Sequence, residues 1–275
     1  MKTFKVSLHS HITNFVHFTL TKPNKKEYLE KLLRILFKKH GNLVLGITNF
    51  NDDKRYHKVL EATKFLSEKY MINKKYKNYF FSIELNNKKI YFVKTDEIET
   101  DNGHILIIGF NGKIRKRKLE NVLKEAHKQK CVIIANHPLH SFGVSYFLIR
   151  KFLGKLKTIS ITKNELEKNK KYFDALELSS YFPEDWKKIE AFARKKNLNL
   201  VSDSDSHFLD EVFTSWYEAK NLNFETPQSF KKSLKKALRK DLYLHARKYS
   251  YFARYKHSFE VLLEKIGRKF GLIKI

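Results

Sequence analysis

Cysteine is nearly absent from this sequence, and other residues that define protein classes are scarce as well. Among 275 residues there is one cysteine, Cys131, which excludes an internal disulfide framework and is typical of a reducing compartment. It lies beside the apolar run Val132-Ile133-Ile134, which favours a buried, unreactive thiol. With only four prolines and nine glycines, the chain shows no internal repeat or low-complexity linker. One large domain or two small ones are therefore expected.

Long apolar runs are also missing. No stretch approaches the roughly 20 apolar residues that span a bilayer. The first residues, MKTFKVSLHSHITNF, place polar groups where a signal peptide has its apolar core. We therefore expect a cytoplasmic protein without a transmembrane segment. An apolar content of 42% nevertheless allows a sizeable core and argues against global disorder.

Negative charge is in short supply. Lys and Arg number 56 against 29 Asp and Glu, so the formal net charge is +27 with neutral histidines. A field of this sign attracts polyanions and raises the rate at which they meet the protein. Two interpretations stay open: an anionic partner such as nucleic acid, or a compositional bias of the whole chain.

Short apolar runs alternate with amphipathic stretches along the chain. The runs predict strands at Thr3–Leu8, Leu43–Ile47, Tyr79–Leu85, Ile90–Val93, Ile105–Phe110, Cys131–Ala135, Ala175–Leu178 and Leu198–Ser202. The stretches predict helices at Lys26–Lys39, Asp53–Lys69, Leu119–Gln129, Pro183–Lys195 and Pro227–Lys240. Asn86-Asn87-Lys88-Lys89 is predicted as a hairpin turn, and Phe142–Leu153 as a helix over the barrel mouth or side. This alternation is typical of an α/β fold with a mainly parallel sheet or barrel.

The clearest functional signal is the placement of the histidines. His9 and His11 stand two residues apart where the first predicted strand ends. In extended backbone, residues i and i+2 face the same side, so both imidazoles can reach one metal ion. Further groups of ligand type stand near the ends of later predicted strands: Glu97, His104, His137, Asp205 and His207. Because the loops after the strands of a (β/α) barrel gather on one face, this pattern predicts a metal site there.

Four segments resemble, in this order, the motifs of the PHP (polymerase and histidinol phosphatase) family: SLHSH, DEIETDNGH, ANHP and DSDSH. The resemblance covers roughly residues 2–244 and includes the family's closing helix at 230–239. It implies a distorted (β/α)7 barrel of the PHP type over residues 1–244. Residues 245–275 then form a basic helical C-terminal extension.

The resemblance also implies a ligand set. The first metal is held by His9, His11, Glu97 and Asp205. A second metal is bridged by Glu97 and held by His104 and His137. His207 faces a third metal or the substrate phosphate, and a catalytic role falls to His207 and Asp205. Asp96 and Glu99 are rivals of Glu97, which the register before the run GHILIIG favours.

These ligand types define the expected chemistry. Imidazole and carboxylate together suit Mn, Zn or Fe better than Mg. Two such ions about 3.5–4 Å apart share a hydroxide and clamp the entering and leaving oxygens of a phosphoester. We expect a metal-dependent phosphoesterase that hydrolyses phosphomonoesters or phosphodiesters, with nucleotides or nucleic acid as candidate substrates. Amide cleavage is a weaker alternative, since a metal site alone does not identify the bond broken.

Two positions of the family's second motif differ here. Asn49 and Phe50 follow Gly46-Ile47-Thr48, where the family has Asp and His. A phenyl ring cannot coordinate, and an amide binds hard cations only weakly, so two metals per chain are expected and the third site is in question. His17 with His207 could still complete that site, but a place for His17 in an aromatic patch is favoured.

Other departures concern residues beside the ligands. Ser7 stands where the family has Asp, and Ile12 where it has Thr. Asp203 replaces a common Gly and could hold a cation or cap its loop. Glu177 could contact a ligand histidine or form a structural salt bridge. His140 could bind substrate, although a solvent-exposed loop position is favoured.

The C-terminal segment has two interpretations. Residues 245–275 carry eight Lys and Arg, two Glu and six aromatic residues, with apolar residues at helical spacing. A helix docked on the barrel is favoured over a basic arm that meets nucleic acid or an anionic membrane. Together with Asn49 and Phe50, this segment supports an alternative function. In that alternative, a degenerate PHP scaffold acts as a nucleic-acid-binding protein without hydrolysis.

Overall fold

The computed structural model describes residues 2–12, 25–39, 41–51, 54–112, 118–140, 160–240 and 242–250. The strands are β1 Thr3–Ser7, β2 Asn42–Phe50, β3 Met71–Asn73, β4 Phe80–Leu85, β5 Lys88–Thr100, β6 Gly103–Ile108, β7 Val132–Ala135, β8 Ala175–Ser179, β9 Leu200–Asp203, β10 Trp216–Lys220 and β11 Leu244–His245. The helices are α1 Lys25–Phe37, α2 Arg55–Ala62, α3 Leu119–Lys128, α4 Lys163–Asn169, α5 Trp186–Lys196 and α6 Pro227–Leu238. Three short 3-10 helices lie at Thr63–Phe65, Lys170–Tyr172 and Pro183–Asp185.

The strands form one mixed sheet that curls into a nearly closed barrel. Its order is β11-β10-β1-β2-β5-β6-β7-β8-β9, and β4 adds to β5 and carries β3. The chain after β9 returns to the chain after β1, where Ser10 and Ser206 form a parallel bridge. The His11 amide donates to the Ser206 carbonyl across 2.7 Å. The barrel therefore closes beside the two histidines that follow β1.

The expectation of a mainly parallel sheet was wrong. Among the described strands, four of ten pairings are parallel: β1 with β2, β2 with β5, β7 with β8, and β8 with β9. The others are antiparallel, because β5 turns directly into β6 and β10 returns against β1. The α/β class is confirmed, whereas the (β/α)7 count stays a prediction.

Apolar side chains on the inner face fill the barrel. One buried cluster draws on strands from β1 to β10, with residues such as Val6, Leu106 and Val201. Helix α6 covers the end of this cluster with Phe230 and Leu234. The other apolar clusters lie between the sheet and the surrounding helices. Because α6 covers the end at which β1 and β2 begin, the opposite end remains for a site.

Local sequence signals explain several element boundaries. Helix α6 begins with a capping box in which Thr226 accepts from the Ser229 amide, and Pro227 occupies its first turn. The predicted hairpin turn is confirmed at Asn86 and Asn87, both with positive φ, between β4 and β5. Helix α5 ends at Asn197 in the left-handed conformation.

Other boundaries differ from the predicted ones. Strand β5 is 13 residues long, so it continues far beyond the predicted Ile90–Val93. The second half of β5 is polar yet buried, so it contains no apolar run that would predict a strand. The predicted helix at Asp53–Lys69 spans only Arg55–Ala62 before a 3-10 turn. Four short elements were missed: β3, β10, β11 and α4.

Some predictions lie outside the described residues. They are the Phe142–Leu153 helix, His17 and the extension beyond residue 250. Strand β11 spans the proposed boundary at residue 244, and Tyr249 is buried beyond it. The division into two domains stays a prediction. Among the described helices, none has the length and apolarity needed to cross a membrane.

Gly46 in β2 offers a test of the packing beneath the site. A Cβ atom there would overlap the backbone carbonyl of Leu8, next to His9. We expect Gly46→Ala to lower the free energy of unfolding by about 3 kcal/mol, because backbone cannot yield as a side chain can. Urea denaturation would measure this loss. The control is Lys220→Ala at an exposed position of β10, where a change below about 0.5 kcal/mol is expected. Equal stability of both variants would contradict this account.

Candidate metal centre

The carboxylate of Glu97 lies buried in the second half of β5, surrounded by imidazoles. One oxygen, Oε2, is 2.9 Å from His11 Nε2. The other, Oε1, is 3.0 Å from His104 Nδ1 and 3.5 Å from His137 Nε2. His104 reaches Glu97 because β5 and β6 form a hairpin. Glu97 pairs with Leu106, and His104 lies two residues before Leu106 in β6. Three imidazoles therefore converge on one side chain, which lies within β5 rather than after a strand as predicted.

His9 and Asp205 complete this arrangement. His9 Nε2 lies 3.1 Å from His11 Nε2, 3.6 Å from Glu97 Oε2 and 3.3 Å from Asp205 Oδ1. Asp205 Oδ1 is also 3.5 Å from His207 Nε2. The structure thus brings together all seven residues predicted as ligands.

Three overlapping groups of these side chains could hold metal ions. In each group, one ligand atom per residue lies within 4.8 Å of the others: His9, His11 and Glu97; Glu97, His104 and His137; His11, Asp205 and His207. Two imidazole nitrogens, His104 Nε2 and His137 Nδ1, are buried without a hydrogen-bond partner in the described part of the chain. Converging, buried imidazoles and carboxylates are a donor set that fits Mn, Zn or Fe. The role of each residue as a ligand stays a prediction.

The backbone that carries the ligands is held in place by nearby polar groups. Leu8, between β1 and the histidines, has its carbonyl bonded by Thr95 Oγ1 across 3.1 Å. The Ser10 amide donates to Thr48 Oγ1 across 2.9 Å. His137 and Asp205 both adopt positive φ, at 28° and 46°. Such backbone strain persists only where the surrounding structure enforces it, as at ligand sites.

Glu177 in β8 orients two of the histidines. Its Oε1 is 2.7 Å from His9 Nδ1, and its Oε2 accepts the His137 amide across 2.8 Å. Of the two interpretations left open by the sequence, contact with a ligand-type histidine is the one observed. With Nδ1 directed to a carboxylate, His9 presents Nε2 toward the other ligand-type groups.

Asp203 acts on the same loop from its backbone side. It accepts the amides of Leu8 and His9, at 2.5 and 3.3 Å, and so caps the end of β1. Of its two proposed roles, the structure shows the cap. Asn136 also takes part, since its amide donates to Glu97 Oε1 across 3.0 Å.

Asn49 and Phe50 are turned to structural tasks. The side-chain Nδ2 of Asn49 donates to Asp96 Oδ1 across 2.8 Å. Its Oδ1 accepts the Tyr56 backbone amide across 2.9 Å. The Phe50 ring packs edge-on near His104, with centroids 5.7 Å apart. Asp96, one rival of Glu97, is engaged with Asn49. Asn49 and Phe50 therefore serve hydrogen bonding and ring packing beside the cluster.

Two further contacts could not be predicted from the sequence. Arg55, at the start of α2, is 6% exposed, and its Nη1 lies 3.3 Å from His11 Nδ1. His140 Nδ1 lies 2.6 Å from Asp185 Oδ2, and its ring packs on Phe182. The favoured solvent-exposed position of His140 was therefore wrong. Both contacts join residues far apart in the chain, so no local sequence pattern predicts them.

The electrostatics of the site reflect buried charge of both signs. Burial disfavours the charged form of His9, but Asp205, Glu177 and Glu97 outweigh this and raise its pKa well above the usual range. For Glu97, burial is outweighed by the adjacent His9 and His104 rings, so its pKa lies well below the usual range. Burial is the main cause that lowers the pKa of His11 to about 4. The carboxylates thus favour positive charge at the centre of the site.

The pKa of Asp203 predicts how the metal-free protein responds to pH. Burial, aided by Glu177, raises this pKa to about 7, so the folded state keeps a proton that the unfolded chain releases near pH ~4. The stabilisation linked to this proton is complete below pH ~4 and falls as the pH rises toward 7. Asp203→Asn removes the titration and keeps an acceptor for the Leu8 amide.

We therefore expect the stability of Asp203→Asn relative to wild type to improve as the pH rises from about 4.5 to 7. Chemical denaturation with a chelator present would measure it. The exposed Asp210→Asn serves as control and should parallel the wild type. A pH-independent difference for Asp203→Asn would contradict the assignment.

Comparison with known proteins shows similarity in fold rather than sequence. No family model and no curated protein matches this sequence. The structure is similar to the crystal structure of PsfC from Pseudomonas syringae PB-5123, at 13% identity and a TM-score of 0.58, with 98% of this chain and 99% of that chain covered. It also matches the lesion-specific endonuclease PfuEndoQ from Pyrococcus furiosus, at 16% identity and a TM-score of 0.45, with 88% of this chain and 57% of that chain covered. The chain thus shares its fold with PsfC over nearly its whole length, while the PfuEndoQ match is too distant to support an argument.

Proposed function

We propose that this protein is a metal-dependent phosphoesterase of the PHP type. The observation that carries the proposal is the convergence of five imidazoles and two carboxylates, all close to one end of a barrel. The four ordered motifs of the sequence supply the link to the PHP family. A fold shared with PsfC at low identity is compatible with this reading but does not identify the reaction.

The residues divide into two metal positions. One would be held by His9, His11, Glu97 and Asp205. The other would be held by Glu97, His104 and His137. Divalent ions bound there supply Lewis acidity and a nucleophile at neutral pH. Because no described residue replaces the missing ligands of the second motif, we propose two metals per chain.

The chain's own residues orient this site. Glu177 holds the His9 ring through Nδ1 and the His137 backbone through its amide. His207 is less buried than the other ligand-type histidines, with 12% of its side chain exposed, so it lies at the rim where substrate would enter. The His207 backbone amide donates to the Glu211 carboxylate. The same carboxylate accepts the Tyr181 hydroxyl, so Glu211 holds the loop of His207 in place. We assign contact with the phosphoryl group to His207, with Asp205 beside it.

Hydrolysis provides the direct test. His137→Ala and Asp205→Asn should each lower kcat/KM for a generic phosphodiester or phosphomonoester by about 100-fold or more with Mn present. Metal content should be determined by mass spectrometry on the same samples. His127→Ala, an exposed histidine on α3, is the matched control and should keep wild-type turnover. Full activity of both site variants would overturn the proposal.

A second candidate function rests on a basic groove at the other end of the barrel. Lysines line a cavity of about 800 Å³ beside α6 and β10: Lys220, Lys232, Lys236 and Lys240. Lys220 pairs with Thr3 at the start of β1, so the groove lies away from His9. The exposed ring of Tyr243 borders it and could stack on a base. This groove favours binding of nucleic acid independently of the metal site.

Nucleic-acid binding is tested with metal removed. Single-stranded oligonucleotides should bind in the presence of a chelator, with affinity that falls steeply as salt increases. The double change Lys232→Glu with Lys236→Glu should weaken binding by about 10-fold or more. Lys128→Glu with Lys195→Glu, the same charge change on other helices, should weaken it less. No binding at low salt would exclude this function.

A further inference from the structure

The two histidines that follow β1, His9 and His11, differ in the group that faces their Nδ1 atom. Nδ1 is the ring nitrogen directed away from Glu97. His9 Nδ1 faces a carboxylate, Glu177, across 2.7 Å. His11 Nδ1 faces a guanidinium, Arg55, across 3.3 Å. The Nε2 atoms of the two rings lie only 3.1 Å apart on the inner side. A hydrogen-bond acceptor therefore stands behind the His9 ring, and a hydrogen-bond donor stands behind the adjacent His11 ring.

This difference matters for metal binding. An imidazole that binds a metal through Nε2 uses its lone pair there, so the remaining ring proton must sit on Nδ1. That Nδ1–H normally donates to a carboxylate or carbonyl, which orients the ring and strengthens it as a ligand. His9 has this partner in Glu177. When the Nε2 proton of His9 gives way to a metal, this Nδ1 contact is unchanged.

His11 is prepared for the opposite state. A guanidinium has donors and no acceptor, so Arg55 requires a lone pair on His11 Nδ1. The ring proton then sits on Nε2 and is donated to Glu97 Oε2 across 2.9 Å. His9 keeps its Nδ1 contact when Nε2 binds a metal, whereas His11 does not. Metal binding at His11 must break the contact with Arg55 or place two donors face to face.

The backbone that carries Arg55 is anchored beside the site. It is the first residue of α2 and is 6% exposed. The next residue, Tyr56, is anchored by its amide to Asn49 Oδ1 across 2.9 Å. Among the described residues the other buried Lys or Arg side chain is Lys231, which donates to the Gly109 and Gln129 carbonyls. Arg55 is therefore the buried guanidinium of the site, and its helix limits how far it can withdraw.

We propose that Arg55 is a positioning residue that makes His11 a weak metal ligand, so that the two metal positions differ in affinity. This inference rests on the proposed metal site. The position of Glu97, His104 and His137 fills first and tightly. The position of His9 and His11 fills second and weakly, and occupancy there depends on the concentration of free metal.

The tautomer of His11 tests the inference in the unaltered protein. In metal-free wild type at neutral pH, long-range ¹H–¹⁵N NMR should show His11 with its proton on Nε2. The assignment can be made with His11→Gln, which removes the corresponding signals. A proton on Nδ1 of His11 would overturn the inference, whatever the metal affinity.

Metal titration tests the consequence. Metal-stripped protein is titrated with Mn or Zn by calorimetry, with competition by a chelator for the tighter position. Arg55→Gln places an amide oxygen where Nδ1–H can donate, so the Kd of the weaker position should fall by about 10-fold or more. Arg55→Lys keeps a cation that only donates and should resemble the wild type. The tighter position should be unchanged in both variants, which also reports correct folding.

The outcomes separate this inference from the proposed reaction. Equal Kd values of the weaker position in wild type and Arg55→Gln would overturn the role of Arg55 and leave the phosphoesterase intact. So would two positions of equal affinity in wild type. A tighter second position in Arg55→Gln without phosphoester turnover at saturating metal supports the inference and overturns the phosphoesterase.

Discussion

The burial of the Glu97 carboxylate is the constraint on which the rest of the site depends. An ionised carboxylate in a protein interior is unfavourable unless charged or hydrogen-bonding partners compensate for lost water. Here His11, His104 and His137 face its two oxygens, and Asn136 donates to one of them. These partners come from β1, β6 and β7 and the loops after them. These partners therefore meet only in the closed barrel, and the site in turn joins the strands at one end.

A second layer of carboxylates makes this arrangement specific. Glu177 fixes the His9 ring and the His137 backbone, while Asp203 caps the end of β1. Both are fully buried, and burial together with neighbouring charge raises the pKa of Asp203 to about 7. The excess of buried acid over buried base favours positive charge at the centre. A divalent cation satisfies that demand better than protons do, because it also orients several ligands at once.

The two ends of the barrel carry different chemistry. At the closed end, α6 seals the apolar interior and presents lysines to solvent. At the open end, buried histidines and carboxylates meet, and Arg55 brings a fixed cation behind one of them. Asn49 and Phe50, at the end of β2, make hydrogen-bond and ring contacts beside this cluster. The site is thus asymmetric, because a carboxylate stands behind His9 and a guanidinium behind His11.

The sequence alone determined the ligand-type residues and most of the elements, because these depend on local spacing: two histidines in extended backbone, apolar runs for strands, and caps for helices. The tertiary structure decided what depends on partners distant in the chain. The polar half of β5 is a strand because β2 and β6 bond it on both sides, and β10 exists because β1 pairs with it. Arg55 opposite His11 and Glu177 opposite His9 are contacts across 44 and 168 residues. No local pattern encodes such distances, because only barrel closure brings these side chains within hydrogen-bonding reach.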